Sequence, residues 1–302
     1  MMIGLWVPVT LAAAGLQTLR TAQQKHLTGV IGQNGAHFAR YFYGAPLAAA
    51  LLLALGLSGR SIPLPGTGFA LYGILGSLAQ IIATGCLIHA FTLRNFTVAT
   101  VFSKTETIQA ALLSLIVLGE GLSGGGWLAI AVGFAGLVLL TTRRGDGLAS
   151  LAVAFRAPAT VYGLASGFFF ALSSVGVRSA ALALPEGDAL IRAATTLAAT
   201  TAFQTLVMGT WLVLADRKAL AGALGRARRP AATVGIMSVV GSFGWFLAMT
   251  LEPVAHVRAL AQIEIVFTIA MTVLVFHERP SPRDYAGVGL IVASVLILLL
   301  AR

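Results

Sequence analysis

Two glutamates stand where carboxylates are rarely found. Glu106 and Glu264 lie within one residue of the centres of two apolar stretches, Phe96–Leu118 and Val254–Phe276. A charged side chain at the centre of a membrane-length apolar helix costs roughly 2.5–3.5 kcal/mol on insertion scales, so it is kept where a ligand or a proton uses it, or where a buried cation neutralises it. Other polar groups surround each glutamate in the sequence. Lys104 is two residues before Glu106, so on a helix it points about 200° away and cannot pair with it locally. Gln109 is three residues after Glu106 and shares its face, and Gln262 and Arg258, four apart, share another. A region holding Glu106, Glu264, Lys104, Arg258, Gln109 and Gln262 carries both signs of charge together with amides. That mixture suits a zwitterionic ligand better than a bare ion or a hydrocarbon, and it also suits a proton-carrying carboxylate.

Other charges belong to helix ends. Arg20, Arg40, Arg178 and Arg192 are expected near span termini, where long side chains reach the interface, lining vestibules or pinning the ends. Glu120 and Glu278 precede Ser123 and Ser281, which are suited to cap the helices that follow, with Pro282 at a tolerated first-turn position. Both glutamates are therefore read as corner residues. His89 and His256 fit hydrogen-bonded core positions, and Gly133/Gly136, Gly163/Gly167 and Gly241/Gly244 allow close helix contact. No metal or cofactor is expected. There is one cysteine, Cys86, no His-Glu-x-x-His pattern and no Walker A sequence.

The elements that carry these groups must be membrane helices. Of the 302 residues, 58% are hydrophobic and 10% charged, against about 25% charged in soluble domains. Ten apolar segments are long enough to span: Ile3–Leu19, Tyr41–Gly59, Ser61–Ile88, Phe96–Leu118, Gly121–Thr142, Ala157–Val177, Ala193–Ala215, Pro230–Leu251, Val254–Phe276 and Arg283–Leu300. The polar linkers Arg143–Pro158 and Asp216–Pro230 could form short surface helices. Met1–Thr18 lacks the basic start of a signal peptide and is read as a retained span. Shifted by 158 residues, Phe91–Leu140 overlies Met249–Leu298 without a gap, matching Glu106 to Glu264, Glu120 to Glu278 and Ser123 to Ser281. The same offset matches Arg20 to Arg178, and an offset of 152 matches Arg40 to Arg192. The expected fold is an all-α membrane protein of ten transmembrane helices, arranged as two inverted five-helix repeats, 1–142 and 159–302, joined by a linker at 143–158. Five spans per half is an odd number, so the second half enters the membrane inverted, the plan of many secondary transporters.

With residues at span ends set aside, twelve basic residues fall in the odd-numbered connections and two in the even connections and termini, which places the odd connections in the cytoplasm and both termini outside. The net charge of +10 is then mostly topology, with the lipid bilayer rather than nucleic acid as its partner.

The chain resembles the ten-helix EamA-type transporters of the drug/metabolite transporter superfamily. The resemblance rests on Lys104–Gln109 (KTETIQ) through Leu118-Gly119-Glu120, on Gln262–Val266 (QIEIV) through Phe276-His277-Glu278, and on Arg40 within Phe38–Phe42 (FARYF). It departs from the family where Thr107 and Ile265 replace a proline, which removes a proline kink from both helices. The resemblance implies export of small metabolites by alternating access across a plasma (inner) membrane, and cytoplasmic termini, opposite to the charge count. The expected function is a secondary transporter of a small polar metabolite, an amino acid or similar zwitterion, with proton coupling open. A passive facilitator or channel is the nearer alternative. An intramembrane enzyme is remote, since Gly121-Leu122-Ser123-Gly124, the short string that could suggest a serine protease, falls in a corner between spans. A self-contained monomer fits a fused pair of halves, with a homodimer left open.

Overall fold

In a computed structural model the chain is described at residues 4–92, 102–141, 158–267, 269–270 and 281–301. All regular structure among these residues is helical: α1 (Trp6–Phe42), α2 (Ala45–Leu57), α3 (Thr67–Thr92), α4 (Glu106–Leu118), α5 (Gly124–Thr141), α6 (Pro158–Leu182), α7 (Ala189–Ala215), α8 (Arg217–Leu224), α9 (Arg228–Leu251), α10 (Val254–Leu260), a 3₁₀ turn at Ala261–Ile263, and α11 (Pro282–Leu300). Six helical stretches are long and apolar enough to cross a bilayer, and α4 and most of α5 are shorter apolar helices. Large apolar side chains such as Ile116, Leu206, Leu214 and Leu300 are more than two-thirds exposed, as lipid-facing residues must be.

Local chemistry sets the helix ends. Asp188 caps α7 by accepting from the Ile191 amide, and Asp216 closes α7 while capping α8 through the Ala219 amide. The Asp216–Pro230 linker thus does form a short helix, whereas Arg143–Pro158 lies almost wholly outside the described residues. Gly119 ends α4 in the left-handed region at φ 70°, a conformation that glycine adopts at no steric cost. Ser123 accepts from the Gly126 amide at the start of α5. Ser281 forms a full capping box with Asp284, with Pro282 in the first turn of α11. Both serine caps read from the sequence are present. At Glu252 the following proline forces extended backbone and ends α9.

One connection differs from expectation. The segment between Leu19 and Tyr41 is helical and is interrupted only at Gly32, where φ is 73° and ψ 172°. Arg20 therefore lies inside a helix and not toward its end. Charge and amides begin after Leu19, but α1 continues through those polar residues.

The described chain forms two compact units, residues 1–78 with 176–252, and 79–175 with 253–302. Neither is one half of the sequence; each combines segments from both. In the first unit α1 packs along α9, where a side chain on Gly244 would come within 2.9 Å of Ala13 Cβ and one on Gly235 would meet Tyr43. Trp245 donates to Gln17 Oε1 across the same contact at 2.9 Å. In the second unit α5 packs on α11 at Gly136 and Gly287. A Cβ on Gly136 would lie 2.8 Å from the Gly287 carbonyl, so only glycine permits this approach. Ala110, Ala171, Val175 and Val254 tie α4, α6 and α10 into one buried cluster.

Candidate functional site

The charged residues of the two apolar stretches come together in the second unit, at two helix breaks. Phe102 and Ser103 are helical, Lys104 and Thr105 form a turn, and α4 begins at Glu106. On the other stretch α10 ends at Leu260, the 3₁₀ turn Ala261–Ile263 follows, and helix resumes at Glu264. Under the 158-residue offset, Lys104-Thr105 corresponds to Gln262-Ile263. Both breaks therefore occur at the same place in the repeat, and each leaves a glutamate on the first residue of the helix that follows. The breaks need no proline. Thr105 bends its hydroxyl back onto the Phe102 carbonyl, and Gly167 of α6 lets that turn approach: a Cβ there would lie 2.9 Å from the Ser103 carbonyl and 3.2 Å from the Glu106 amide.

Each glutamate finds its cation on the other stretch. Arg258 Nη1 lies 3.0 Å from Glu106 Oε1, and Lys104 Nζ lies 3.6 Å from Glu264 Oε2. The two stretches thus exchange charges in both directions, Arg258 with Glu106 and Lys104 with Glu264. Arg258 is further held by α6, donating from Nε at 3.0 Å and from Nη2 to Ser174 Oγ. Glu106 Oε1 is buried yet lies off the guanidinium N–H directions, so charge rather than a directed hydrogen bond holds it. Gln109 donates to Thr105 Oγ1 at 2.8 Å, while its own Oε1 is buried and accepts no hydrogen bond. Gln262 is packed against Gly133 of α5 and near Ser294 of α11. The Gln262 Nε2 and Ser294 Oγ atoms are both buried without a hydrogen-bond partner. Because of the 3₁₀ turn between them, Arg258 and Gln262 do not continue one regular helical face.

Sequence periodicity placed the six polar residues but not their pairing, and it missed Ser174 and Ser294, whereas the close contact expected at Gly167 is present. The offset placed Lys104 on Gln262, and that exchange of a cation for an amide was the one available signal that the two halves pair asymmetrically.

The remaining predicted residues lie elsewhere. Arg178 is 7% exposed and does not reach an interface; it donates to the Met249 and Glu252 carbonyls and so pins the C-terminal end of α9. Arg192 donates to the Gly187 carbonyl at the start of α7. Arg40 is in the last turn of α1, 5.3 Å from the Tyr41 ring. Glu120 accepts from Ser114 at the α4–α5 corner, and Glu278 lies outside the described residues. His89 is exposed and not in the core, its ring tilted 60° against that of Tyr162 with centroids 4.3 Å apart. Among the described residues no cluster of three metal-ligating side chains occurs.

The model of the EamA-like transporter family matches residues 6–142 and again 157–300, almost the whole chain in two copies. The chain belongs to the EamA-like transporter family. This EamA-like chain is a multi-pass membrane protein with a transporter role. A solved structure described only as "Crystal structure of protein" shares its fold, with a TM-score of 0.76 over 98% of each chain at 19% identity. No curated protein matches the sequence.

Proposed function

We propose that this EamA-like protein is a secondary transporter that exports or exchanges a small zwitterionic metabolite, such as an amino acid, by alternating access. Its ten spans would form two inverted five-helix repeats, residues 1–142 and 159–302. The observation that carries this reading is the pair of helix breaks at matching positions of the two halves, each opening onto a glutamate paired with a cation of the other half. Secondary transporters built from inverted repeats place their binding groups near the bilayer centre at the repeat interface. A charge-balanced quartet suits a ligand that is itself neutral overall. A net ion entering such a site would leave an uncompensated charge in low dielectric, at a cost of several kcal/mol.

The test is uptake of a labelled amino-acid panel into proteoliposomes, with and without a pH gradient, for wild type and Glu106→Gln. Exchange of zwitterions by wild type, with strong loss in the variant, supports the reading. Accumulation driven by the pH gradient adds proton coupling to it. If wild type and variant equilibrate the panel at similar rates, the protein is a passive facilitator and Glu106 is architectural.

A further inference from the structure

We infer that the corner made by α8 and the adjoining ends of α7 and α9 is a docking site for an anionic phospholipid. The cations of the corner hold the lipid phosphate, and the apolar end of α7 lies against the acyl chains. This needs only a chain that sits in a membrane, and it is independent of what the protein transports.

The first observation is charge. Arg217, Lys218, Arg226, Arg228 and Arg229 are all exposed. Asp216 is the one carboxylate between Ala215 and Pro230, and it is engaged within the fold. One of its oxygens accepts from the Ala219 amide and the other from Asn34 Nδ2 at 3.0 Å. Five cations against one carboxylate leave a surplus of four positive charges.

The second is fixed placement. The alanine face of α8 is buried at Ala219 and Ala223. Tyr43 of the α1–α2 junction donates to the Ala223 carbonyl at 3.1 Å, and a Cβ on Gly35 of α1 would lie 3.1 Å from the Ala219 carbonyl. Positive charge that serves topology alone can sit on any short connection; here it is mounted on a packed helix. The repeat sharpens the point. Leu57 and Ala215, the last residues of α2 and α7, are separated by the same 158 residues that relate the two halves. The connection after α2, residues 58–66, contains no helix and one cation, Arg60, which pairs with Asp188 at 3.1 Å. Asp188 caps the start of α7, whereas α8 follows its end, 27 residues later, or about 40 Å along the helix. The fold therefore closes this connection without a helix or a charge surplus at one end of α7, and builds both at the other.

The third is the apolar surface beside the cations. Trp211, Val213 and Leu214 in the last turns of α7 are exposed, Leu214 by 78%, and so is Leu224 at the end of α8. Trp211 lies four residues before the end of α7, about 6 Å, the depth at which tryptophan marks the boundary between acyl chains and headgroups. Cations adjoining exposed apolar side chains match an amphiphile with an anionic head. A soluble anion would use the cations alone.

The experiment uses the full chain reconstituted in phosphatidylcholine vesicles with increasing fractions of brominated phosphatidylglycerol or brominated phosphatidylcholine. The readout is quenching of the part of the tryptophan emission that Trp211→Phe removes. Each Lys or Arg near an anionic headgroup strengthens attachment about fivefold, so wild type should favour phosphatidylglycerol by about tenfold or more. Lys218→Gln, Arg226→Gln and Arg229→Gln should each weaken that preference by up to about fivefold, and the three together should abolish it. Arg60→Gln, at the other end of α7, should leave it unchanged. Equal quenching by the two lipids in wild type, or a preference that survives the three substitutions, overturns the inference. Full displacement of phosphatidylglycerol by inorganic phosphate also overturns it, by assigning the corner to a soluble anion.

Discussion

Replacing Arg258 with Met removes the cation from a carboxylate that cannot escape to water. The Glu106 side chain is 13% exposed and the Arg258 side chain 18%, so little screening is available on either side. Breaking one partner of such a pair costs about 3–5 kcal/mol, because a buried charge is left uncompensated. The partial exposure places the expected value toward the lower end. Ser174 Oγ also loses two donors, but as an acceptor in a small pocket it adds less than the stranded carboxylate. At roughly 2 °C per kcal/mol for a chain above about 150 residues, Arg258→Met should unfold about 6–8 °C below wild type. The double variant Arg258→Met/Glu106→Gln removes the stranded charge as well and should recover more than half of that loss. Thermal unfolding of the purified protein in one detergent, at fixed protein and lipid concentration, provides all four corners of the cycle. Losses that simply add, with the double variant worse than Arg258→Met, would refute the pairing. An Arg258→Met midpoint within about 1 °C of wild type would refute the claim that the pair is buried.

Gly167→Ala should slow transport and destabilise the protein by about 1–3 kcal/mol, because its Cβ would press within 2.9 Å of the Ser103 carbonyl at the α4 break. Gly85→Ala in α3, which meets nothing within 4 Å, should be neutral or stabilising in the same unfolding assay. Arg178→Met should lower the unfolding midpoint markedly, since it removes the Nη1 donor to the buried Met249 and Glu252 carbonyls; an unchanged midpoint would show that the α9 end does not need its pin. At Asp188 the Ile191 amide, and then Arg60, hold the carboxyl below the usual carboxylate range. Its contribution is therefore fully present above the unfolded value of about 3.9 and is lost as pH falls through the lower folded value. Asp188→Asn keeps a capping oxygen but does not titrate there, so its midpoint should fall less steeply than wild type between about pH 5 and pH 3; identical slopes would contradict the linkage.

Much of the architecture can be read from composition and spacing. A chain with so few charges has to be a membrane protein, and lipid allows its backbone little besides helix. Repeat matching picked out Glu106 and Glu264 as equivalent, and the serine caps at Ser123 and Ser281 follow from side-chain chemistry that acts within a few residues. These are local or periodic properties, and a sequence displays them directly. The breaks were not legible. Lys104-Thr105 and Ala261–Ile263 contain no proline or glycine, and the absence of the family proline argued for unbroken helices. The turn is held by the Thr105 hydroxyl and by the close approach that Gly167 permits from α6. The pairing was not legible either. Periodicity tells which residues share a helix face, and by that rule Lys104 is a poor partner for Glu106; it does not tell which helix lies opposite. Packing of α4, α6 and α10 put Arg258 against Glu106, set Ser174 behind Arg258, and left Lys104 to Glu264. The sequence by itself determined which charges must be neutralised inside the membrane. Tertiary structure alone decided what neutralises them, because a charge is compensated by whatever comes within a few ångströms of it in space.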